Sequence, residues 1–186
     1  MADPAPDSPD VRAGDRGADP YAGRLGRIVN SVGVVFAGLF VLSAGILIFE
    51  IVLRYVFNAP TIWAHETVIF ISGISFLYGG LYAVVRNQHI RIVLIYDQIP
   101  SAIRRWVDVI ISFVSFLATS IFAWAAWQGV KRAFWNPAGD IRLERSGSAW
   151  NPPFPALLKL FLLTILLIMA VQFLILTVNH IRGRTR

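Results

Sequence analysis

Four long apolar segments dominate the pattern of hydrophobic and polar positions along the chain. They run from about 28 to 55, 65 to 85, 106 to 130 and 155 to 179, and shorter polar stretches separate them. A helix crosses the hydrocarbon core of a bilayer, about 30 Å thick, with roughly 20 mostly apolar residues. Each segment meets that length, and most charged residues fall near segment ends or between segments. The pattern therefore predicts an all-α integral membrane fold with four transmembrane helices.

The polar stretch between the second and third segments is too short to cross the membrane. Residues 89–99 mix Ile, Val and Leu with His89, Arg91 and Asp97, and Pro100 follows. A short amphipathic segment favours the interface between lipid and water. We predict such an interfacial segment here, and a loop outside the membrane at 135–155, where Gly and Pro recur.

The two ends of the chain differ from the four apolar segments. Residues 1–24 are rich in Asp, Pro and Gly and cannot bury enough surface to offset the entropy of ordering. We predict a disordered N-terminal tail at 1–24, a four-helix membrane domain at 25–182 and a basic C-terminal tail at 183–186. The acidic tail lacks the features of a signal peptide, so we expect the first span to act as an uncleaved insertion signal.

Composition supports a membrane protein and excludes several kinds of site. Of the 186 residues, 56% are hydrophobic and 15% are charged, well below the charged fraction of about a quarter in soluble domains. The chain has no cysteine, which excludes disulfides, zinc-thiolate sites and iron–sulfur clusters. The net charge of +6 comes from basic residues that flank apolar spans, so contact with membrane lipids explains it better than nucleic-acid binding.

The distribution of Arg and Lys predicts which side of the membrane holds the termini. Four spans put both termini and the central loop on one side, with eleven basic residues against six on the other. The eleven are Arg12, Arg16, Arg24, Arg27, Arg86, Arg91, Arg104, Arg105, Arg182, Arg184 and Arg186. The six are Arg54, Lys131, Arg132, Arg142, Arg145 and Lys159. By the positive-inside rule, we expect cytoplasmic N- and C-termini.

Small residues recur every four positions in two of the predicted helices. The two ridges are Ser75, Gly79 and Ala83, and Ser115, Thr119 and Ala123. Such ridges let helices approach closely where lipid removes the hydrophobic driving force between them. They fit either packing within the chain or an interface with a partner, and the sequence leaves both open.

Two acidic residues near segment ends are candidates for a structural or functional role. Glu50 and Arg54 stand four residues apart, which allows an ion pair that could serve as a proton or ion relay or as a structural contact. Glu66 follows Trp63 in the first turn of the second helix, where the helix dipole favours a carboxylate. Glu66 is also a candidate for docking a partner, and Arg54 is a candidate for its counter-ion.

The sequence carries no pattern typical of catalysis, metal binding or a substrate site. His65, His89 and His180 lie at or beyond span ends, whereas haem ligation needs histidines well inside a bundle. Phosphate-binding glycine loops, zinc-protease motifs and triad signatures are absent from the sequence. The broken helices that meet at mid-depth in secondary transporters are also absent. We therefore expect an auxiliary protein that is not an enzyme and binds no cofactor or metal.

A string of short motifs resembles a known family. The motifs are Arg54-Tyr55, Phe57-Asn58, Pro60, Trp63, Glu66, Arg86, His89 and Pro100, with Trp150-Asn151-Pro152-Pro153 and Gln172 further on. Their combination resembles the small membrane subunit (DctQ-like) of tripartite ATP-independent periplasmic (TRAP) transporters, over most of residues 28–180. One position departs from the family, which often has an Asp where this chain has Val93.

The resemblance implies a division of labour among three proteins in a bacterial inner membrane system. A periplasmic solute-binding protein captures an organic acid, a large polytopic subunit moves it, usually with sodium, and the small subunit pairs with the large one as a scaffold. Arg54, Trp63, Glu66 and His89 match family positions and, with Glu50, are candidates for structure or docking. Two alternatives remain open, namely a membrane anchor of a redox complex and a small homo-oligomeric channel or transporter.

Overall fold

The computed structural model describes residues 22–86 and 101–182, with the side chains of residues 101, 102, 104 and 105 left out. Within these ranges lie four helices, α1 (Gly23–Tyr55), α2 (Trp63–Val85), α3 (Ser101–Phe134) and α4 (Phe154–Arg182). Each is long and apolar enough to cross a membrane. The predicted all-α fold with four membrane-spanning helices is confirmed. The predicted interfacial segment at 89–99, which includes His89, lies outside the described residues.

Helices α1 and α3 are longer than the apolar segments that predicted them. Helix α1 begins at Gly23, so Gly23 and Arg24, which we assigned to the tail, form its first turn. Helix α3 extends on both sides of the predicted span at 106–130. An apolar run marks only the part of a helix that must lie in hydrocarbon, and the helix continues where headgroups or water solvate its polar side chains.

The helices pack as two antiparallel pairs that meet through α2 and α4. Helix α3 packs most extensively against α4, and α1 packs against α2. The contact between α2 and α4 joins the pairs, while α1 touches α4 only slightly. Helices α2 and α4 are therefore central, and α1 and α3 lie at the outside. The burial of the most apolar stretch of each helix agrees with this. In α1, 6% of that stretch is buried within the chain, and in α4, 39% of it is buried.

The α1–α2 pair is held by an aromatic contact between the first half of α1 and the second half of α2. The Tyr78 hydroxyl donates a hydrogen bond to the carbonyl oxygen of Val29, and the Phe36 ring stacks on Tyr78 with centroids 3.9 Å apart. Gly33 lies directly under the ring of Tyr82, and an added Cβ there would stand 2.5 Å from ring atom Cε2. Glycine at this position is therefore required for the close approach of the two helices.

A buried glutamine joins the start of α1 to α4. Gln172 is fully buried, and its Nε2 donates a hydrogen bond of 3.1 Å to the carbonyl oxygen of Ala22. Gly23 follows with φ of +67°, a left-handed conformation that glycine adopts without strain, and it lies against Ile175. The first turn of α1 is thus fixed against the second half of α4.

Candidate functional site

Glu50 lies near the end of α1, and both of its carboxylate oxygens accept hydrogen bonds. Arg54 Nη2 donates to Oε1 at 2.7 Å, as the four-residue spacing allows. The backbone N–H of Thr61 donates to Oε2 at 3.1 Å, and the Thr61 hydroxyl donates to the same oxygen. The Glu50 side chain is 8% exposed and that of Arg54 is 49% exposed. The carboxylate therefore faces the protein, and the guanidinium faces outward.

The bonds to Thr61 form because the chain turns back between α1 and α2. Asn58 takes a left-handed conformation with φ of +48°, and the N–H of Ala59 bonds to the carbonyl of Leu53 at 3.0 Å. This turn returns Thr61 to the flank of α1, opposite the carboxylate. Charge-assisted bonds from three donors fix the turn geometry. We call Glu50, Arg54 and Thr61 the turn clamp, and its bonds all lie within the turn itself.

Glu66 makes a different kind of contact in the first turn of α2. Its Oε1 accepts a hydrogen bond of 3.2 Å from the hydroxyl of Ser146, which lies in the loop between α3 and α4. Its Oε2 is buried and has no hydrogen-bond partner among the residues that the structure describes. Arg54 forms its ion pair with Glu50, four residues earlier on the same helix. It is therefore not the counter-ion of Glu66 in this structure.

A small apolar cavity lies beside Glu66. The cavity has a volume of about 210 Å³ and is lined by Glu66, Ile69, Phe70, Ser146, Phe154, Pro155 and Leu158. The Phe70 and Phe154 rings stack with centroids 4.5 Å apart, and Trp150 contacts Phe154 edge-on at 5.4 Å. Phe154 is the first residue of α4, so these rings pack the start of α4 against α2 and place Trp150 of the preceding loop against α4.

The α3–α4 loop folds back on the end of α3 through backbone hydrogen bonds. The N–H groups of Arg142 and Glu144 bond to the carbonyls of Phe134 and Ala133 at 2.9 and 2.7 Å. The Glu144 carboxylate pairs with Lys159 on α4. Beside this loop lies a groove of about 720 Å³, whose basic lining residues are Arg132, Arg142 and Arg145. The loop is therefore an ordered surface at the same end of the molecule as the turn clamp.

The predicted site residues gather at this end only in part. Glu50 and Arg54 form the predicted pair, Glu66 contacts the loop, and Trp63 is 42% exposed at the start of α2. His89 is outside the described residues. Sequence analysis missed Thr61 and Ser146. Neither contact follows from a local pattern, because Thr61 bonds to a residue 11 positions away and Ser146 to one 80 positions away.

The described helices contain no ionisable group at mid-depth. Their acidic and basic residues lie near the ends, as Glu50, Glu66 and Lys159 illustrate. Within residues 22–86 and 101–182, no three His, Asp or Glu side chains come together as a metal site would require. The acidic and basic side chains of the described helices thus lie near the helix ends.

The fold defines a multi-pass membrane protein of four spans whose polar contacts secure its loops. The sequence model of the family described as "Tripartite ATP-independent periplasmic transporters, DctQ component" matches residues 43–183. That match covers well over half of the chain, which belongs to the DctQ component family of TRAP transporters. The chain is thus a component of transport systems and not an enzyme, as the sequence predicted.

Two curated proteins show the same relationship. The chain is 25% identical over 124 residues to the C4-dicarboxylate TRAP transporter small permease protein DctQ of Vibrio cholerae, covering 63% of this chain and 53% of that protein. It is 30% identical over 88 residues to the sialic acid TRAP transporter permease protein SiaT of Haemophilus influenzae, covering 45% of this chain and 14% of that protein. The matches therefore span about half of one relative and a small part of the other.

Proposed function

We propose that this chain is the scaffold subunit of a TRAP transporter that imports an organic acid, and that it does not itself carry the substrate. The observation that supports this most directly is the placement of ionisable groups near helix ends in the described helices. An organic anion crossing the subunit would need cations or helix N-termini at mid-depth. Those helices offer neither.

The proposed main partner is a large polytopic permease subunit. The match to SiaT covers only 14% of that protein, so most of this relative's permease chain lies outside the region that resembles our chain. A large partner subunit would supply what the four helices lack, including the substrate path and, by our proposal, a sodium site. The chain itself is proposed to bind no cofactor and no metal.

A periplasmic solute-binding protein is the second proposed partner. The basic residues favour cytoplasmic termini in the bacterial inner membrane, which would put the turn clamp and the α3–α4 loop on the periplasmic side. Arg132 at the end of α3, with Arg142 and Arg145 in the loop, lines a groove there. An ordered, charged surface suits an encounter with a soluble protein.

The candidate residues divide into two proposed roles. Glu50 and Arg54 serve structure, since they hold the turn between α1 and α2. Trp63 and Glu66 serve docking, since the ring is substantially exposed and one carboxylate oxygen lacks a donor among the described residues. His89 remains a docking candidate from the family resemblance alone.

Co-purification tests the proposed function. The tagged chain is expressed in its own host together with the genes encoded beside it, extracted in mild detergent and purified by its tag. We expect one much larger polytopic protein in fixed ratio. Purification alone as a stable homo-oligomer, with solute flux in liposomes from this chain by itself, would contradict the scaffold role.

A further inference from the structure

An apolar groove runs between α1 and α2 on their outer surface. It has a volume of about 690 Å³, and its lining residues include Gly33, Ala37 and Phe40 on α1 and Ser75, Gly79 and Gly80 on α2. We call it the α1–α2 groove. The exposed rings of Phe40 and Phe76 are part of its lining. One of the two small-residue ridges in the sequence therefore lies in an open groove.

The other ridge is used within the chain. Thr119 and Ala123 on α3 are each 6% exposed, and Ala123 packs in a cluster with Leu163 of α4. By contrast, Gly79 and Gly80 are exposed, and a Cβ added to either would meet no atom within 4 Å. Packing within the described chain thus does not require small residues at 79 and 80.

Ser75 supplies an independent indication of a missing contact. Ser75 is 8% exposed, and its buried hydroxyl has no hydrogen-bond partner among the described residues. Hydroxyls on the same and other helices avoid this state by donating to the carbonyl four residues back, as Thr67 and Ser120 do at 2.8 Å. An unpaired polar group in hydrocarbon is costly, which favours an occupant of the groove that offers an acceptor.

We propose that the α1–α2 groove receives a transmembrane helix of the large permease subunit, with Ser75 donating a hydrogen bond to it. This inference rests on the proposed function, which supplies the large subunit. Exposed glycines let a partner backbone approach closely, as small residues do at helix interfaces in membranes. A lipid acyl chain would fill the apolar space but has no acceptor for the Ser75 hydroxyl.

The first test fills the groove without disturbing the chain. Gly79→Leu places a side chain in open space in the groove, and Gly129→Leu on α3 is its control, because an added Cβ there also meets nothing within 4 Å. Each variant is co-expressed with the large subunit and purified by its tag. We expect Gly79→Leu to lower the recovered large subunit by about tenfold and Gly129→Leu to leave it unchanged. Equal recovery with both variants would overturn the groove inference.

A second pair of variants tests the hydroxyl. Ser75→Ala removes the unpaired hydroxyl, and Ser120→Ala removes one that bonds within its own helix. We expect Ser75→Ala to reduce recovery of the large subunit by a few-fold while leaving the melting temperature of the isolated chain unchanged or higher. A lower melting temperature of the isolated Ser75→Ala chain, with normal recovery, would show that Ser75 serves the subunit alone.

Cross-linking identifies the occupant directly. The chain has no cysteine, so Phe76→Cys introduces a unique thiol beside the groove, which benzophenone-maleimide labels in membranes that contain the whole complex. A photo-adduct with the large subunit supports the inference, and an adduct confined to lipid or to a second copy of this chain overturns it.

The co-purification results distinguish failure of this inference from failure of the proposed function. If the unmodified chain recovers no large subunit at all, the proposed function fails. If the unmodified chain and the Gly79→Leu variant recover the large subunit equally well, only the assignment of the groove fails.

Discussion

Glu50 and Glu66 lie at the same end of the molecule, on either side of the turn between α1 and α2, and their surroundings differ. The Glu50 carboxylate accepts bonds from Arg54 and from both the N–H and the hydroxyl of Thr61. The Glu66 carboxylate accepts one bond from Ser146, and its second oxygen is buried without a donor in the described ranges. A carboxylate with all its bonds made inside the chain has a structural role, whereas one with an unused buried oxygen has capacity for a partner.

The largest expected effect is that of Glu50→Gln on the stability of the isolated chain. The amide keeps the shape but loses the charge that pairs with Arg54 and strengthens the bonds from Thr61. We expect a clear fall in the melting temperature of the isolated chain in detergent, because hydrogen bonds to a charged group stabilise more than those to a neutral one. Glu144→Gln is the control, because its pair with Lys159 is about 40% exposed and contributes little. An unchanged melting temperature for Glu50→Gln would show that the turn clamp is dispensable.

Glu66→Gln is expected to separate stability from assembly. The amide removes the charge but leaves a polar atom at the same buried position without a partner among the described residues, so the free energy of unfolding of the isolated chain should change by about 0.5 kcal/mol or less, with either sign. Recovery of the large subunit in co-purification should fall, because the side chain can no longer accept a charge-assisted bond from a partner. Glu144→Gln again serves as the control. Unchanged recovery and transport would remove the proposed docking role and the contrast with Glu50.

Ser146→Ala is expected to have the smallest effect overall, because its effect on stability is as small as that of Glu66→Gln and it leaves the Glu66 carboxylate available for assembly. It removes the single bond to Glu66, which is exposed and 3.2 Å long, so the isolated chain should lose about 0.5 kcal/mol. Ser31→Ala on α1 is the control, because its exposed hydroxyl donates a hydrogen bond of 3.0 Å to the carbonyl oxygen of Arg27, far from Glu66. A loss as large as that of Glu50→Gln would show that the loop contact stabilises the chain as much as the turn clamp does.

The parts of the structure that sequence predicted are those that depend on local spacing. The four spans follow from uninterrupted apolar runs, and the pairing of Glu50 with Arg54 follows from a separation of one helical turn. Thr61 is 11 residues from Glu50, and Ser146 is 80 residues from Glu66. Those contacts depend on the path of a turn and a loop, which no periodic pattern encodes.

The small-residue ridges show the same limit. Ser75 with Gly79 and Thr119 with Ala123 have the same spacing and similar composition, so sequence could not distinguish a ridge used inside the chain from one that remains open. The difference lies in neighbouring helices. Leu163 of α4 packs against Ala123, while an added Cβ at Gly79 meets nothing within 4 Å. Only the arrangement of the four helices decides which ridge is free.

The bond between Gln172 and Ala22 bears on how the protein enters the membrane. It joins two residues 150 positions apart, so the start of the first helix cannot be fixed until the ribosome has delivered the last helix. During synthesis, α1 and α2 can already associate through Tyr78 and Val29. Only the later arrival of α4 supplies the carbonyl oxygen of Ala22 with its side-chain donor from Gln172, so the first turn of α1 is the last part of that helix to be fixed.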